Sequence, residues 1–132
     1  MKRVILAEDD PAMRRLVAET LAQDGYVVEP VNDGGRLLVE ISRQIGANNE
    51  RRELRPQIDL IISDIRMPVA SGLQIVEALR AARCRTPVIL MTAFGDDAAR
   101  AQAERLNAKL FDKPFDLEEL RTAARQMLEA GR

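Results

Sequence analysis

Several apolar runs in this chain end on, or lead into, side chains able to do chemistry. "RVILA" (3–7) is followed by Glu8, Asp9 and Asp10, and "IDLIIS" (58–63) by Asp64. "PVILMT" (87–92) ends on Thr92, and "AKLFD" (108–112) leads into Lys113 and Pro114. Each residue alone has an ordinary explanation. Asp10 directly precedes Pro11 and reads as the N-cap of a helix. A single acid at a strand end is often a cap or a turn former, a single lysine a surface charge, and a single threonine a turn hydroxyl. Together they read differently. If Glu8, Asp9 and Asp64 converge, each pair repels by ~4 kcal/mol at ~4 Å and an effective dielectric of ~20. Lys113 brings one positive charge, too little to compensate. A hard divalent cation with oxygen ligands fits the deficit, and Mg²⁺ favours a few carboxylates plus waters.

Such convergence requires the apolar runs to be neighbouring strands ending at one edge. The runs at 3–7, 26–31, 58–63, 87–92 and 108–112 are rich in Val, Ile and Leu and alternate little. Strands covered on both faces read this way. Amphipathic stretches separate them. Met13, Leu16, Val17 and Leu21 share a helical face, as do Leu37, Leu38, Ile41 and Ile45. Leu73, Val76 and Leu79, with Ile75 beside them, form a third set, and Leu117, Leu120, Ala124, Met127 and Leu128 a fourth. Asp116, followed by Glu119, has capping-box spacing. The segment 96–108 is alanine-rich with Leu106 as its one large apolar residue, so a weakly held helix is expected there. The order is strand then helix five times over, which predicts a parallel sheet with helices on both faces and right-handed crossovers. In such a sheet ligands sit outside the carboxyl ends of the strands.

Composition narrows the function. The chain has 132 residues, 46% of them hydrophobic, enough for one domain spanning 1–132 with a real core. Its formal charge of -1 argues against direct nucleic-acid binding by this domain. No apolar run approaches the roughly 18 residues of a membrane span, and the start lacks a signal-peptide pattern, so a cytoplasmic location is expected. Cys84 is the single cysteine and there is no histidine. That excludes Cys/His zinc sites, histidine-dependent triads and a self-supplied phosphohistidine.

The set Glu8-Asp9, Asp64-x-x-Met67-Pro68, Gly72, Thr92-Ala93 and Lys113-Pro114-Phe115 resembles a two-component response-regulator receiver domain, and the likeness runs from the first strand to the last helix. The resemblance implies a CheY-like, flavodoxin-like (βα)5 fold, doubly wound, with strand order 2-1-3-4-5. It implies Asp64 as phosphoacceptor and Glu8, Asp9, Asp64 and the Arg66 backbone carbonyl as ligands of Mg²⁺ or Mn²⁺. Thr92 takes the place of the switch hydroxyl, Lys113 that of the phosphoryl-binding lysine, and Lys113–Pro114 that of the family's cis bond. The chemistry agrees with these roles. A carboxylate can attack phosphorus to give an acyl phosphate, with cationic and hydroxyl groups stabilising the transferring phosphoryl. With no histidine here, the donor is expected on a sensor histidine kinase or histidine phosphotransfer protein. The chain is expected to catalyse only its own phosphorylation and slow autodephosphorylation, as a monomer or a phosphorylation-dependent dimer. Its output is expected to be a protein contact through the fourth helix, fifth strand and fifth helix, including Arg100, Glu104, Lys109 and Arg121. Two alternatives stand beside this. One is a phosphorylation-independent interaction module, the other an N-terminal receiver cut from a longer transcriptional regulator.

Three departures from the receiver pattern stand out. Leu110 occupies the place of the usual aromatic residue three before the lysine, and alternation sends Phe111 to the other face. The output is therefore expected to rely on Thr92 and the "FGDDAARAQ" segment. Arg66 and Phe94 fall where side chains flank the phosphoryl group, and are expected to hinder the in-line water and lengthen its lifetime. The stretch about 46–57 is lengthened and holds Arg51, Arg52, Glu53 and Arg55. Competing chemistries fit less well. A haloacid-dehalogenase-type phosphatase needs an acid where Arg66 stands. A flavodoxin-like cofactor site needs a phosphate loop where "EDDPAM" would repel phosphate.

Overall fold

The computed structural model describes residues 1–51, 58–93 and 95–130, with side chains from 44 to 51 excepted. Most of the expected extension and the expected site residue Phe94 therefore lie outside the described residues. The chain alternates β1 (Arg3–Ala7), α1 (Pro11–Gln23), β2 (Val27–Val31), α2 (Gly34–Arg51), β3 (Leu60–Asp64), α3 (Gly72–Ala81), β4 (Val88–Thr92), α4 (Asp97–Arg105), β5 (Lys109–Asp112) and α5 (Leu117–Ala130). The five strands are parallel and ordered β2-β1-β3-β4-β5, as the family resemblance implied.

Period-two alternation divides the core into two layers. Ile5 and Ala7 of β1, Ile61 of β3 and Leu90 of β4 face one side, packing with Leu37, Ile41, Ile75, Val76, Leu79 and Ala103 of α2, α3 and α4. Val4, Leu6, Leu60, Ile62, Ile89 and Met91 face the other, with Val17, Leu21, Leu120, Ala124 and Leu128 of α1 and α5. All five residues of β3 and of β4 are buried, which explains why both run apolar up to their polar carboxyl ends. Pro30 stands in β2, an edge strand, where a missing N–H costs least.

The local expectations hold with corrections. Asp10 caps α1, accepting from Ala12 N at 3.1 Å. Leu16 and Leu38, placed by periodicity on buried faces, are 45% and 36% exposed. Each lies at the edge of its apolar stripe, beside a neighbour that takes the core position: Val17 in α1 and Leu37 in α2, both fully buried. Asp116 does accept a backbone bond, from Glu118 N at 2.8 Å, two residues on. A full capping box occurs instead at α3, where Ser71 Oγ accepts from Gln74 N at 3.1 Å and Gln74 Oε1 from Ser71 N at 3.0 Å. As expected of α4, Ala103 is its one buried residue. The polar run after Ile45 begins as helix, since α2 continues to Arg51.

Candidate functional site

β1, β3 and β4 are the three inner strands, and parallel pairing brings their carboxyl ends to one edge. Register sets Ala7 beside Ser63 and Asp64 beside Met91. Asp64 is the last residue of β3 and Thr92 the last of β4, and both are buried. Glu8 follows β1 and is also buried, its N–H donating to Val31 O at 3.1 Å, while Asp9 is exposed. Carboxylate oxygens of Glu8, Asp9 and Asp64 lie within 4.8 Å of one another.

Lys113 reaches this cluster from beyond β5. Its Nζ donates to Glu8 Oε1 at 2.9 Å and to Asp64 Oδ2 at 3.1 Å. Its backbone N–H donates to Thr92 O at 2.7 Å, and the Lys113–Pro114 peptide is cis. Burial pushes the Glu8 carboxyl above its ordinary value, against the bonds from Lys113 and from Asp10 N. Burial pushes the Lys113 ammonium down, but its bonds to the two carboxylates outweigh this and leave it raised. Three carboxylates, two of them bonded to one ammonium, form an electron-rich oxygen cluster. Its donor set suits a hard cation such as Mg²⁺, and Glu8, Asp9 and Asp64 are the residues able to hold it.

Ile65 N donates to Met91 O at 2.8 Å and Gly72 N to Ile65 O at 2.9 Å, so the loop 66–71 is closed at its base against β3 and β4. Arg66 is exposed on this loop. Within it Val69 takes φ 79° and is 81% exposed. A β-branched residue in the left-handed region costs roughly 1–3 kcal/mol. Asparagine tolerates that region. Val69→Asn is therefore expected to stabilise the fold by about 1 kcal/mol, read as a higher urea midpoint with an unchanged slope. A lower midpoint would show that the valine side chain contributes more than the strain costs.

Leu110 belongs to the α2–α3–α4 layer and Phe111 to the α1–α5 layer, as alternation required. Phe111 packs on Phe115 with ring centroids 6.2 Å apart, under Lys109 Nζ at 5.5 Å. The expected output face needs one correction. Arg121 turns toward α1, binding Asp24 through two bonds, Nε to Oδ2 at 2.9 Å and Nη2 to Oδ1 at 2.6 Å. Arg100 is paired with Asp112 at 2.9 Å, between α4 and the end of β5. The sequence reading missed Arg14, whose Nη1 donates to Glu8 O at 2.8 Å. Its one signal was its place a single turn after the Asp10 cap, on the side of α1 that faces the acids.

Residues 4–125 match the family profile described as "Response regulator receiver domain". Among curated proteins, the chain is 30% identical over 132 residues to the regulatory protein AtoC of Escherichia coli (strain K12), aligning 98% of this chain with 26% of that protein. It is 31% identical to the transcriptional regulatory protein PcoR of Escherichia coli, covering 100% of this chain and 54% of the relative. The chain thus spans between a quarter and about half of these relatives. Among solved structures, a CheY-like receiver domain protein from Methanospirillum hungatei JF-1 superposes with a TM-score of 0.84 at 20% identity, covering 99% of this chain and 96% of that one. The non-phosphorylated HemR receiver domain from Leptospira biflexa gives 0.75 at 27% identity, covering 97% and 94%.

Proposed function

The chain belongs to the response-regulator receiver family, and we propose that it accepts a phosphoryl group on Asp64 from a phosphohistidine of a partner kinase or phosphotransfer protein. The observation that carries this is the placement of Asp64. It is a buried carboxylate bonded to Lys113 and set among Glu8 and Asp9 at the open edge of the sheet. Asp64 attacks phosphorus while the P–N bond to the partner's imidazole breaks, giving an acyl phosphate. Lys113 is placed to stabilise the incoming negative charge and Thr92 to offer a hydroxyl. Mg²⁺ or Mn²⁺, held by Glu8, Asp9, Asp64 and the Arg66 carbonyl, would supply charge neutralisation at the transferring group. Self-phosphorylation and slow autodephosphorylation are then the chain's only catalysis.

The readout follows from what Asp64 phosphorylation disturbs. Lys113 spans Glu8 and Asp64, and its backbone is bonded to Thr92, so a phosphoryl group on Asp64 redistributes charge at the ends of β4 and β5. The α4–β5–α5 face is adjacent and is the proposed protein-binding surface, through which a phosphorylation-dependent dimer would also form. Arg66 is proposed to shield the acyl phosphate from water. The relatives are named as regulatory and transcriptional regulatory proteins, and a transcriptional output is the corresponding proposal here. No helix among the described residues is long and apolar enough to cross a membrane.

Intact mass spectrometry tests the reading. Incubated with a small phosphodonor and Mg²⁺, the wild type is expected to gain one phosphoryl group and Asp64→Asn none. Equal gain by both would place the acceptor elsewhere. No gain by the wild type in the presence of bound metal would favour the phosphorylation-independent module.

A further inference from the structure

The sheet has a second charged end. The connections α3–β4 and α4–β5 lie at the amino ends of their strands, opposite the acid cluster. Between them is a recess of about 350 Å³ lined by Arg80, Arg83, Arg85 and Arg105, with Cys84 and Asn107 among the remaining wall. No carboxylate lines it. Arg83, Arg85 and Arg105 are exposed and take part in no ion pair among the described residues. In a chain of net charge -1 this is a marked local excess of cations.

The recess is built on a fixed guanidinium. Arg80 Nε donates to Leu106 O at 2.8 Å, and Nη1 to Cys84 O at 3.0 Å and Thr86 O at 2.8 Å. Nη2 makes one long contact of 3.5 Å to Asn107 O, so this arm of the fork has donor capacity left. Arg83 and Asn107 take left-handed conformations, φ 64° and 57°, which end α3 and α4 and fold the two connections into facing walls. Burial pushes the Arg80 guanidinium down, and the charge of Arg85 adds to this. An anion between them would relieve that repulsion.

We propose that this recess binds a small molecule carrying a diphosphate group. Guanidinium forks match phosphate oxygens in a bidentate manner. A single phosphate carries roughly 1.5–2 negative charges at neutral pH, so two are needed to balance four arginines. Both helices direct their carboxyl ends here, which opposes an anion weakly. Charged hydrogen bonds are individually stronger than a helix-end effect, so two or more of them outweigh both helix ends. The recess is a walled pocket rather than a flat basic face, which favours a small molecule over a nucleic acid.

The test is a titration of ¹⁵N-labelled protein, free of Mg²⁺, with pyrophosphate and separately with adenosine diphosphate. Saturable shifts are expected at the amides of Cys84, Arg85 and Asn107, with a dissociation constant of about 1 mM or tighter. Arg83→Asn combined with Arg105→Gln is expected to weaken binding at least tenfold. Asparagine suits the left-handed position, so this variant keeps the fold. Equal affinity for the two probes assigns the site to the diphosphate alone, and tighter binding of adenosine diphosphate to a nucleoside diphosphate. Absence of local shifts, shifts reproduced by sulfate at matched ionic strength, or affinity unchanged in the double variant would overturn the proposal. The arginines would then serve only as cations at the helix carboxyl ends.

Discussion

Lys113→Met is expected to cost about 2 kcal/mol of folding stability at neutral pH, with the cost shrinking as the pH falls. Removing one partner of a fully enclosed ion pair costs about 3–5 kcal/mol because the other charge is left buried and unpaired. Here Glu8 is buried with 1% of its surface exposed, but Asp9 beside it is open to solvent, which moderates the loss. The pH dependence follows from Glu8. Burial already raises its carboxyl above the ordinary value, and the Lys113 bond is the main opposing influence. Without Lys113 the carboxyl rises further. A carboxyl whose folded-state pKa exceeds its unfolded value destabilises little below the unfolded value, near ~4.3, and most above the folded one. The ammonium of Lys113 is raised rather than lowered, so it stays charged throughout the mildly acidic and neutral range and adds no slope there. Urea denaturation of wild type and variant at pH 5 and pH 7.5 checks this. A deficit equal at both values would mean that Lys113 stabilises through its methylene packing, which methionine largely retains, or through another contact. Added Mg²⁺ is expected to recover part of the loss at pH 7.5 by meeting the same carboxylates.

The sheet was legible because β1, β3 and β4 are buried on both faces and therefore read as continuous apolar runs. Their ends were legible because acids, a threonine and a lysine are conspicuous after such runs. Leu16 and Leu38 were misplaced because a helical stripe blurs at its edges, where position relative to the neighbouring helix decides burial. Arg14 was missed because its contact is to a backbone carbonyl, which marks the sequence only through the place of Arg14 one turn after the Asp10 cap. The turning of Arg121 toward Asp24 depends on how α1 and α5 lie together, which is settled only once both pack on the same sheet face. The recess around Arg80 was missed for a related reason. Its arginines come from the end of α3, the α3–β4 connection and the end of α4, far apart in sequence, and each alone reads as an ordinary charge near a helix end.

Gly72→Ala is expected to destabilise the fold by about 2–3 kcal/mol and to slow phosphoryl uptake at least tenfold. A Cβ at this position would lie 2.6 Å from the Asp64 carbonyl oxygen, 3.1 Å from Leu90 Cδ2 and 3.1 Å from Ser63 Oγ. The first of these is backbone and cannot swing aside. The Asp64 carbonyl already accepts from Ser63 Oγ at 2.9 Å, and Gly72 N is tied to Ile65 O at 2.9 Å, so neither side of the contact has slack. Alanine's better helix propensity, about 1 kcal/mol in a helix interior, is worth less at the first position of α3 and does not offset the overlap. Relief must come from shifting the end of β3, and that carries Asp64 away from Lys113 and Glu8. A displacement of about 1 Å at a reacting group is enough to cost a large factor in rate. Ser71→Ala separates stability from position. It removes the α3 cap at a cost of about 1 kcal/mol without touching Asp64, so it is expected to lower the urea midpoint and leave the uptake rate at the wild-type value. If Gly72→Ala, folded and below its unfolding transition, took up phosphoryl as fast as Ser71→Ala, the close approach of α3 to β3 would be a packing feature with no part in placing the proposed acceptor, Asp64.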